Sequence, residues 1–132
     1  MLKEIFINTR SRIELINVDK EVTSAVSECG IQNGLCHLWV PHTTAAITIN
    51  ENADPSVVRD ILTSTSKLIP QHDRYLHAEG NSDAHIKSSL FGPSLTLIVA
   101  GGKLCLGTWQ SVYFCEFDGP RRRILWIKTM EG

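Results

Sequence analysis

The sequence has almost no net charge, and this absence excludes one large class of partner. The 132 residues include 13 Lys or Arg against 14 Asp or Glu, which leaves a formal net charge of -1 at pH 7. Binding to nucleic acid by counterion release needs a basic face. The one basic run is residues 121–123, all arginine, and alternate side chains of a strand point to opposite faces. We therefore expect no nucleic-acid partner.

Long apolar segments and paired cysteines are also missing. No segment approaches the ~20 apolar residues that span a bilayer, and residues 1–8 contain no apolar stretch long enough for a signal peptide. The cysteines form no C-x-x-C pair and stand singly in apolar runs, which is typical of reduced thiols in a cytosolic protein: Cys29, Cys36, Cys105 and Cys115. We expect a cytoplasmic protein that does not associate with membranes.

The sequence shows no internal repeat, low-complexity tract or linker, so we expect residues 1–132 to form a single domain. Apolar alternation predicts a hairpin from residues 2–9 and 11–18, and further strands at residues 34–40, 43–50, 95–99, 103–106, 109–117 and 122–130. Capping residues and apolar stripes predict helices that begin near Asp19, Asp54 and Ser82 or Asp83. This order of elements indicates an α+β fold with mainly antiparallel strands.

Three polar clusters lie where predicted strands begin or end, which is where sites are commonly assembled. They contain imidazoles, carboxylates and hydroxyls, the groups that serve as metal ligands, acid–base groups and phosphate donors. The clusters are residues 77–92, residues 42–44 leading to 50–54, and residues 107–110 leading to 116–121.

Three histidines are the candidates for a metal site: His42, His77 and His85. Three imidazoles with an open fourth position would form a catalytic zinc-type site, and Glu79 or Asp83 would orient the second ring nitrogen. The spacing His77-x7-His85 is not a known zinc signature, so polar loop histidines remain the alternative. The metal, if bound, would be zinc or magnesium.

Four residues are candidates for phosphate binding: Asn81, Ser88, Ser89 and Arg121. The serines follow His85 in the short predicted helix, where a hydroxyl either donates to a ligand or is merely tolerated. Asn81 either caps that helix or faces an anion at the helix N-terminus. The planar guanidinium of Arg121 suits phosphate, and the alternative is an exposed arginine in a turn.

Five residues are candidates for catalytic roles: Glu51, His77, Glu79, Gln110 and Glu116. Glu51 follows a strand and has no capping role, unlike the neighbouring Asp54. Gln110 and Glu116 share a strand face, together with Val112 and Phe114, if residues 109–117 are one continuous strand. They then mark either the rim of a pocket or two solvent-exposed ends.

Taken together, these motifs resemble the YjbQ-like family, sometimes labelled secondary thiamine-phosphate synthases. The resemblance covers nearly the whole chain. It rests on His42-Thr43-Thr44, on Asn50-Glu51-Asn52-Ala53-Asp54, on His77-Ala78-Glu79-Gly80-Asn81 with His85, on Gly107-Thr108-Trp109-Gln110 and on Glu116-Phe117-Asp118-Gly119-Pro120-Arg121. It implies a β-sandwich of about seven or eight strands with two or three flanking helices, assembled as a homotrimer. It also implies a polar pocket for a divalent metal and a phosphorylated small molecule.

The resemblance further implies a thiamine-phosphate synthase, a transferase that displaces pyrophosphate. Arg121, Ser88 and the metal would neutralise the leaving group, while Glu51 or Glu116 would position a metal-bound water. A metal-dependent hydrolase uses the same groups. Two non-enzymatic alternatives also remain: a module that binds a metabolite or a metal, and a purely structural network at the trimer interface.

Overall fold

The computed structural model describes residues 2–132, which form eight strands and three helices. In chain order the elements are β1 (Leu2–Asn8), β2 (Glu14–Asn17), α1 (Asp19–Cys29), β3 (Gly34–Trp39), β4 (Ala45–Glu51), α2 (Pro55–Leu68), α3 (Ser82–Phe91), β5 (Ser94–Ala100), β6 (Lys103–Leu104), β7 (Gln110–Glu116) and β8 (Arg122–Glu131).

The strands form two sheets that pack face to face. One sheet has five strands in the order β1-β8-β3-β5-β6, the other has three in the order β2-β7-β4, and every pairing is antiparallel. Buried side chains of both sheets share one core, for example Leu38 and Leu125 with Ile47 and Phe114. The predicted α+β sandwich of mainly antiparallel strands is confirmed.

The predicted hairpin of the first two strands is wrong. β1 pairs with β8 in the five-stranded sheet, whereas β2 pairs with β7 in the three-stranded sheet. The carboxylate of Glu14 accepts the backbone N–H groups of Arg10 and Ser11 at 2.6 and 2.7 Å. These bonds stabilise a bend that carries the chain from one sheet to the other, so the alternation of both segments is right but their partners are not adjacent.

All three helices begin near the predicted residues, but of the predicted capping residues only Asp54 caps its helix. Asp54 caps α2 by accepting the Ser56 N–H at 2.9 Å, and α2 ends at Leu68. Asp19 does not cap α1; it is the first helical residue, and its carboxylate reaches across to β7, where Ser111 and the Val112 N–H donate to it. The side chain of Asp19 therefore bonds to residues distant in the sequence, although local preference predicts that it caps the helix.

Helix α3 covers the outer face of the three-stranded sheet. Ala84 and Phe91 of the helix pack on Ala46, Cys115 and Phe117, which form a second, smaller buried cluster. Asp83 of α3 is fully buried and binds Arg12 at 2.9 and 3.1 Å, with Lys87 one turn later at 3.3 Å. This packing fixes α3 beside the connection between β3 and β4.

Between residues 2 and 132, no helix is both long and apolar enough to cross a membrane. The expected burial of single thiols holds for Cys36 and Cys115, while Cys29 is half-buried and Cys105 is exposed.

We expect Gly34→Ala to destabilise the fold strongly. A Cβ at Gly34 would lie 2.0 Å from the carbonyl oxygen of Met130 on β8, so the two strands would have to separate. The expected loss is about 3 kcal/mol, at the upper end of overpacking effects, measured by urea denaturation. Gly30→Ala is the matched control, because Gly30 also has positive φ but has no atom within 4 Å of its Cβ position. Backbone strain alone costs about 1–2 kcal/mol there, and equal losses in both variants would contradict the steric argument.

Candidate functional site

Two adjoining cavities of about 490 and 370 Å³ form one groove beside the β3–β4 connection. They share His42, Thr43 and Pro93, and we call the combined surface the His42 groove. Its other lining residues are Trp39, Val40, Pro41, Thr44, Ala45, His85, Ser88, Ser89, Arg121 and Arg123. No Asp or Glu lines either cavity within the described chain, so the groove presents donors and cations.

Backbone hydrogen bonds place the β3–β4 connection against the end of α3. The Val40 N–H donates to the carbonyl of Pro93 at 2.8 Å, and the Ile47 N–H donates to that of Gly92 at 3.1 Å. The turn that ends α3 is therefore bonded on both sides of His42. This brings the first and second polar clusters of the sequence to one place.

Arg123 is the residue of this groove that sequence analysis missed. Its guanidinium forms a buried ion pair with Glu116, and its Nη2 also donates to the carbonyl and hydroxyl of Thr44 at 3.1 and 2.8 Å. The remaining nitrogen, Nη1, has no hydrogen-bond partner among residues 2–132 and belongs to a residue that lines the groove. Strand alternation through residues 121–123 was the available signal, since it turns one arginine inward.

Glu116 lies in the core rather than at the rim of a pocket. Burial alone would raise the pKa of its carboxyl, but hydrogen bonds from Arg123, the Asp118 N–H and Thr9 outweigh burial and lower it. The carboxylate is fully buried, and both of its oxygens accept hydrogen bonds from these partners. Glu116 thus holds Arg123 in position, and the structure gives it no contact with the groove.

His42 is a neutral hydrogen-bond donor toward the groove. Its Nε2 accepts the Ile124 N–H at 2.9 Å, which places the proton of the neutral ring on Nδ1. Burial lowers the pKa of His42, and the positive charge of Arg123 lowers it further. A ring whose Nε2 lone pair is already used could bind a metal only through Nδ1 as an imidazolate, so this histidine does not suit a metal.

The predicted three-histidine metal site finds no support in residues 2–132. His77 and His85 lie together, with ring centroids 5.3 Å apart and planes at 87°, in an edge-to-face contact. Glu79 is 3.7 Å from the Nε2 of His77, but both side chains are largely exposed. No group of three His, Cys, Asp or Glu in the described part of the chain could hold a metal ion. Asp83, expected to orient a histidine, is instead bound to Arg12 and Lys87.

The two serines of α3 have different environments. The hydroxyl of Ser88 is buried without a hydrogen-bond partner in residues 2–132, and the residue lines the smaller cavity. The hydroxyl of Ser89 donates to the carbonyl of His85, one helical turn earlier, at 3.0 Å. A buried orphan hydroxyl is rare in proteins and calls for a ligand or water, so Ser88 is the stronger candidate of the pair.

Asn81 and Arg121 are both tied to Asp118. Asn81 donates to the Asp118 carboxylate at 2.8 Å, and Arg121 donates to the same oxygen at 3.0 Å and to the Asp118 carbonyl at 3.0 Å. Arg121 lines the groove and is half-exposed, but Asp118 offsets its charge. Asn81 does not line the groove, and its predicted contact with a ligand finds no geometric support there.

Glu51 and Gln110 lie at the opposite end of the sandwich. They face each other across the β4–β7 pair, whereas Ala45 and Glu116 face each other at the groove end. Ala45 and Glu51 are six positions apart along β4, which corresponds to a distance of about 20 Å. The predicted acid–base residues are therefore divided between two places, so Glu51 cannot position a ligand bound beside His42 of the same chain.

We expect NMR to find His42 as the Nδ1–H tautomer, neutral at pH 7. Long-range ¹H–¹⁵N spectra report the tautomer, and a pH titration should give a midpoint below the usual 6.5 because burial and Arg123 disfavour the charged ring. The unfolded ring binds the proton more readily, so His42 contributes to a loss of stability as pH falls below about 6.5. The same chain in urea is the control, and a protonated folded ring at pH 7 would contradict the assignment.

Comparisons with known proteins agree with this fold and bear on the family to which the chain belongs. The family model described as "UPF0047 protein YjbQ-like" matches residues 3–132. The UPF0047 protein MJ1081 of Methanocaldococcus jannaschii is 54% identical over 98% of this chain and 94% of its own. The UPF0047 protein YugU of Bacillus subtilis is 50% identical over 98% of this chain and 99% of its own.

Solved structures share the fold closely. An uncharacterized conserved protein of the YjbQ/UPF0047 family from Clostridium acetobutylicum is 49% identical, with a TM-score of 0.95 over 97% of this chain and 99% of that chain. A protein of unknown function from Sulfolobus solfataricus, described as YbjQ-like, is 31% identical, with a TM-score of 0.95 over 100% of this chain and 97% of that chain.

These comparisons also correct the expected function. The matched family is described by its name alone, the two relatives are called UPF0047 proteins, and the solved structures are described as uncharacterized or of unknown function. None of these descriptions gives a reaction or a metal, so the prediction of a metal-dependent thiamine-phosphate synthase is wrong as an assignment. What the family match over residues 3–132 and the identities of 50% and more do establish is descent: this chain belongs to the UPF0047 YjbQ-like family.

Proposed function

We propose that the protein binds a small phosphorylated molecule through its phosphate group in the His42 groove. The observation that carries the proposal is the buried, partnerless hydroxyl of Ser88, a residue that lines the groove. Leaving such a group unsatisfied costs about 1–3 kcal/mol. A phosphate oxygen is an acceptor that would remove this cost.

Three further donors face the same groove and suit a phosphate. They are the Nδ1–H of His42, the Nη1 of Arg123 and the exposed hydroxyl of Thr43. Hydrogen bonds from a charged donor to phosphate are short and about twice as strong as neutral ones. Because no carboxylate lines the described groove, nothing there repels an anion.

The charges of the groove favour a hydrogen-bonded anion over a loosely held counterion. Glu116 offsets Arg123 and Asp118 offsets Arg121, so the net local charge is small. Recognition then depends on the number and direction of donors, which favours phosphate with its several acceptor oxygens over a single-atom anion such as chloride.

We further propose that the protein works in the cytoplasm. All four cysteines are free, and burial raises the pKa of the Cys36 thiol to about 11, which keeps it protonated and unreactive. Such thiols are suited to a reducing compartment.

We expect Ser88→Ala to weaken binding of inorganic phosphate about tenfold, the loss of one hydrogen bond to a charged group. Calorimetric titration of the purified chain measures this change. Ser89→Ala is the matched control, because its hydroxyl is bound to the helix backbone, and its affinity should equal that of the wild type. Thermal stability should not fall in Ser88→Ala, since the hydroxyl has no protein partner to lose.

The same titration tests the predicted role of Arg121 in phosphate binding. We expect Arg121→Ala to weaken phosphate binding only about threefold, because Asp118 offsets its charge and the residue is exposed. Equal affinities in the Ser88 and Ser89 variants, or no saturable heat from phosphate with the wild type, would contradict the proposed function.

The expected homotrimer is a second proposal, and a specific surface favours it. The outer face of the five-stranded sheet exposes six large apolar side chains: Leu2, Phe6, Leu35, Trp39, Ile98 and Met130. Register makes much of this surface continuous, since Leu35 lies between Met130 and Ile98. Apolar patches of this kind on a small protein mark interaction sites, and we propose that copies of the chain cover it.

We expect sedimentation equilibrium to give three times the 14.7 kDa mass of one chain. Ile98→Glu should shift the population toward monomer, because it places a charge on the apolar face. Leu76→Glu is the control, because Leu76 is fully exposed in the loop between α2 and α3 and is not on this face. A monomeric wild type at micromolar concentration would contradict the proposed homotrimer.

A further inference from the structure

A second cleft lies at the end of the sandwich opposite the His42 groove. It has a volume of about 530 Å³ and lies between the end of β4 and the turn at residues 107–110. Its wall includes the side chains of Glu51, Trp109 and Gln110. The length of β4 separates it from the groove by about 20 Å, so it is not part of the proposed phosphate site.

The turn that carries Trp109 is rigidly closed. The Gln110 N–H donates to the carbonyl of Gly107 at 3.0 Å, and the side-chain oxygen of Gln110 accepts the Gly107 N–H at 2.8 Å. The Asn52 N–H donates to the carbonyl of Trp109 at 2.9 Å, which ties the turn to the chain just after β4. The indole on this fixed turn is nonetheless 65% exposed, so the fold positions a large aromatic ring and leaves it uncovered.

Glu51 gives the cleft an uncompensated negative charge. The residue is half-buried, yet across residues 2–132 its carboxylate makes no ion pair and no hydrogen bond, and no Lys or Arg lines the cleft. Its backbone is held in place: Asn50 accepts its N–H at 2.8 Å and Tyr113 donates to its carbonyl at 3.1 Å. Burial raises the pKa of the Tyr113 phenol, and the carboxylates of Asp19 and Glu51 raise it further.

We infer that this cleft binds a small alkylammonium ion, with the cation over the Trp109 ring and beside the Glu51 carboxylate. The face of an indole attracts cations, and the attraction grows when the site is partly desolvated. A carboxylate without a partner in a half-buried position supplies the opposite charge. Rigid placement of both groups lowers the entropy cost of binding.

Gln110 adds a preference for the rest of the ligand. Its side-chain oxygen is used by Gly107, so its amide nitrogen is the group left to donate. An ammonium ion that also carries a hydroxyl or carbonyl oxygen would use all three groups of the cleft. This chemistry is opposite in sign to that of the His42 groove, so the two sites do not compete for one ligand.

The test uses choline as the probe and 3,3-dimethylbutan-1-ol, its uncharged isostere, as the control ligand. The chain has three tryptophans, so three indole N–H signals appear in ¹H–¹⁵N spectra, and Trp109→Leu assigns the one that matters. We expect choline to shift the Trp109 signal saturably at millimolar concentration. The neutral isostere should bind about tenfold more weakly, the factor expected of a cation–π contact with a partly desolvated ring.

Two pairs of variants locate the site, with choline binding measured by calorimetric titration so that the readout does not need the Trp109 signal. Glu51→Gln and Trp109→Leu should each weaken choline binding about tenfold. Glu79→Gln and Trp126→Leu are the matched controls, because they remove a carboxylate and an indole outside the cleft, and they should leave the affinity unchanged. The isostere comparison needs no variant and so does not depend on their folding.

Three results would overturn the inference. One is the absence of a saturable Trp109 shift up to roughly 50 mM choline, because a site with both contacts should have a much higher affinity than that concentration implies. Another is equal binding of choline and its neutral isostere, which would leave an apolar cleft only. The third is unchanged choline affinity in both Glu51→Gln and Trp109→Leu.

Discussion

The buried ion pair between Glu116 and Arg123 is the interaction on which the candidate site depends. Glu116 ends β7 in one sheet and Arg123 is the second residue of β8 in the other, so the pair joins the two sheets at one end of the sandwich. Thr9, Thr44 and the Asp118 N–H also form hydrogen bonds with the two side chains. Removing one partner of such a pair leaves an uncompensated buried charge, which costs about 3–5 kcal/mol. The pair therefore fixes the ends of β7 and β8 and the position of Thr44 beside the groove.

As a consequence, the polar residues differ between the buried core and the surface, and between the two ends of the sandwich. At the groove end the carboxylates of Glu116, Asp118 and Asp83 are turned toward arginines and a lysine, which leaves donors such as Ser88 and His42 in the lining of the groove. At the other end the carboxylate of Glu51 has no cation near it, and an uncovered indole stands beside it. One small sandwich thus presents a groove lined by hydrogen-bond donors and a cleft with an unpaired carboxylate, about 20 Å apart.

Much of the fold was predictable because its signals are local. The period-2 alternation of β3, β5, β7 and β8, the Asp54-Pro55 start of α2 and the Gly101-Gly102 turn each depend on a few adjacent residues. The separate burial of Val112 and Phe114 on one face of β7 and Cys115 on the other also follows from alternation. Sequence patterns failed where a partner is distant: β1 and β2 alternate as strands but belong to different sheets, and Asp19 binds β7 instead of capping α1.

The sequence by itself determined the element types, the antiparallel α+β class and the segments that carry polar groups, since propensity and periodicity act over a few residues. It also indicated His42, Ser88 and Arg121 as candidate ligand contacts. Only the tertiary structure decided which groups stay available to a ligand. Arg121 is bound to Asp118, Glu116 to Arg123 and the Nε2 of His42 to the Ile124 N–H. Those assignments depend on contacts between residues as much as 82 positions apart, and burial makes the Glu116–Arg123 pair costly to break.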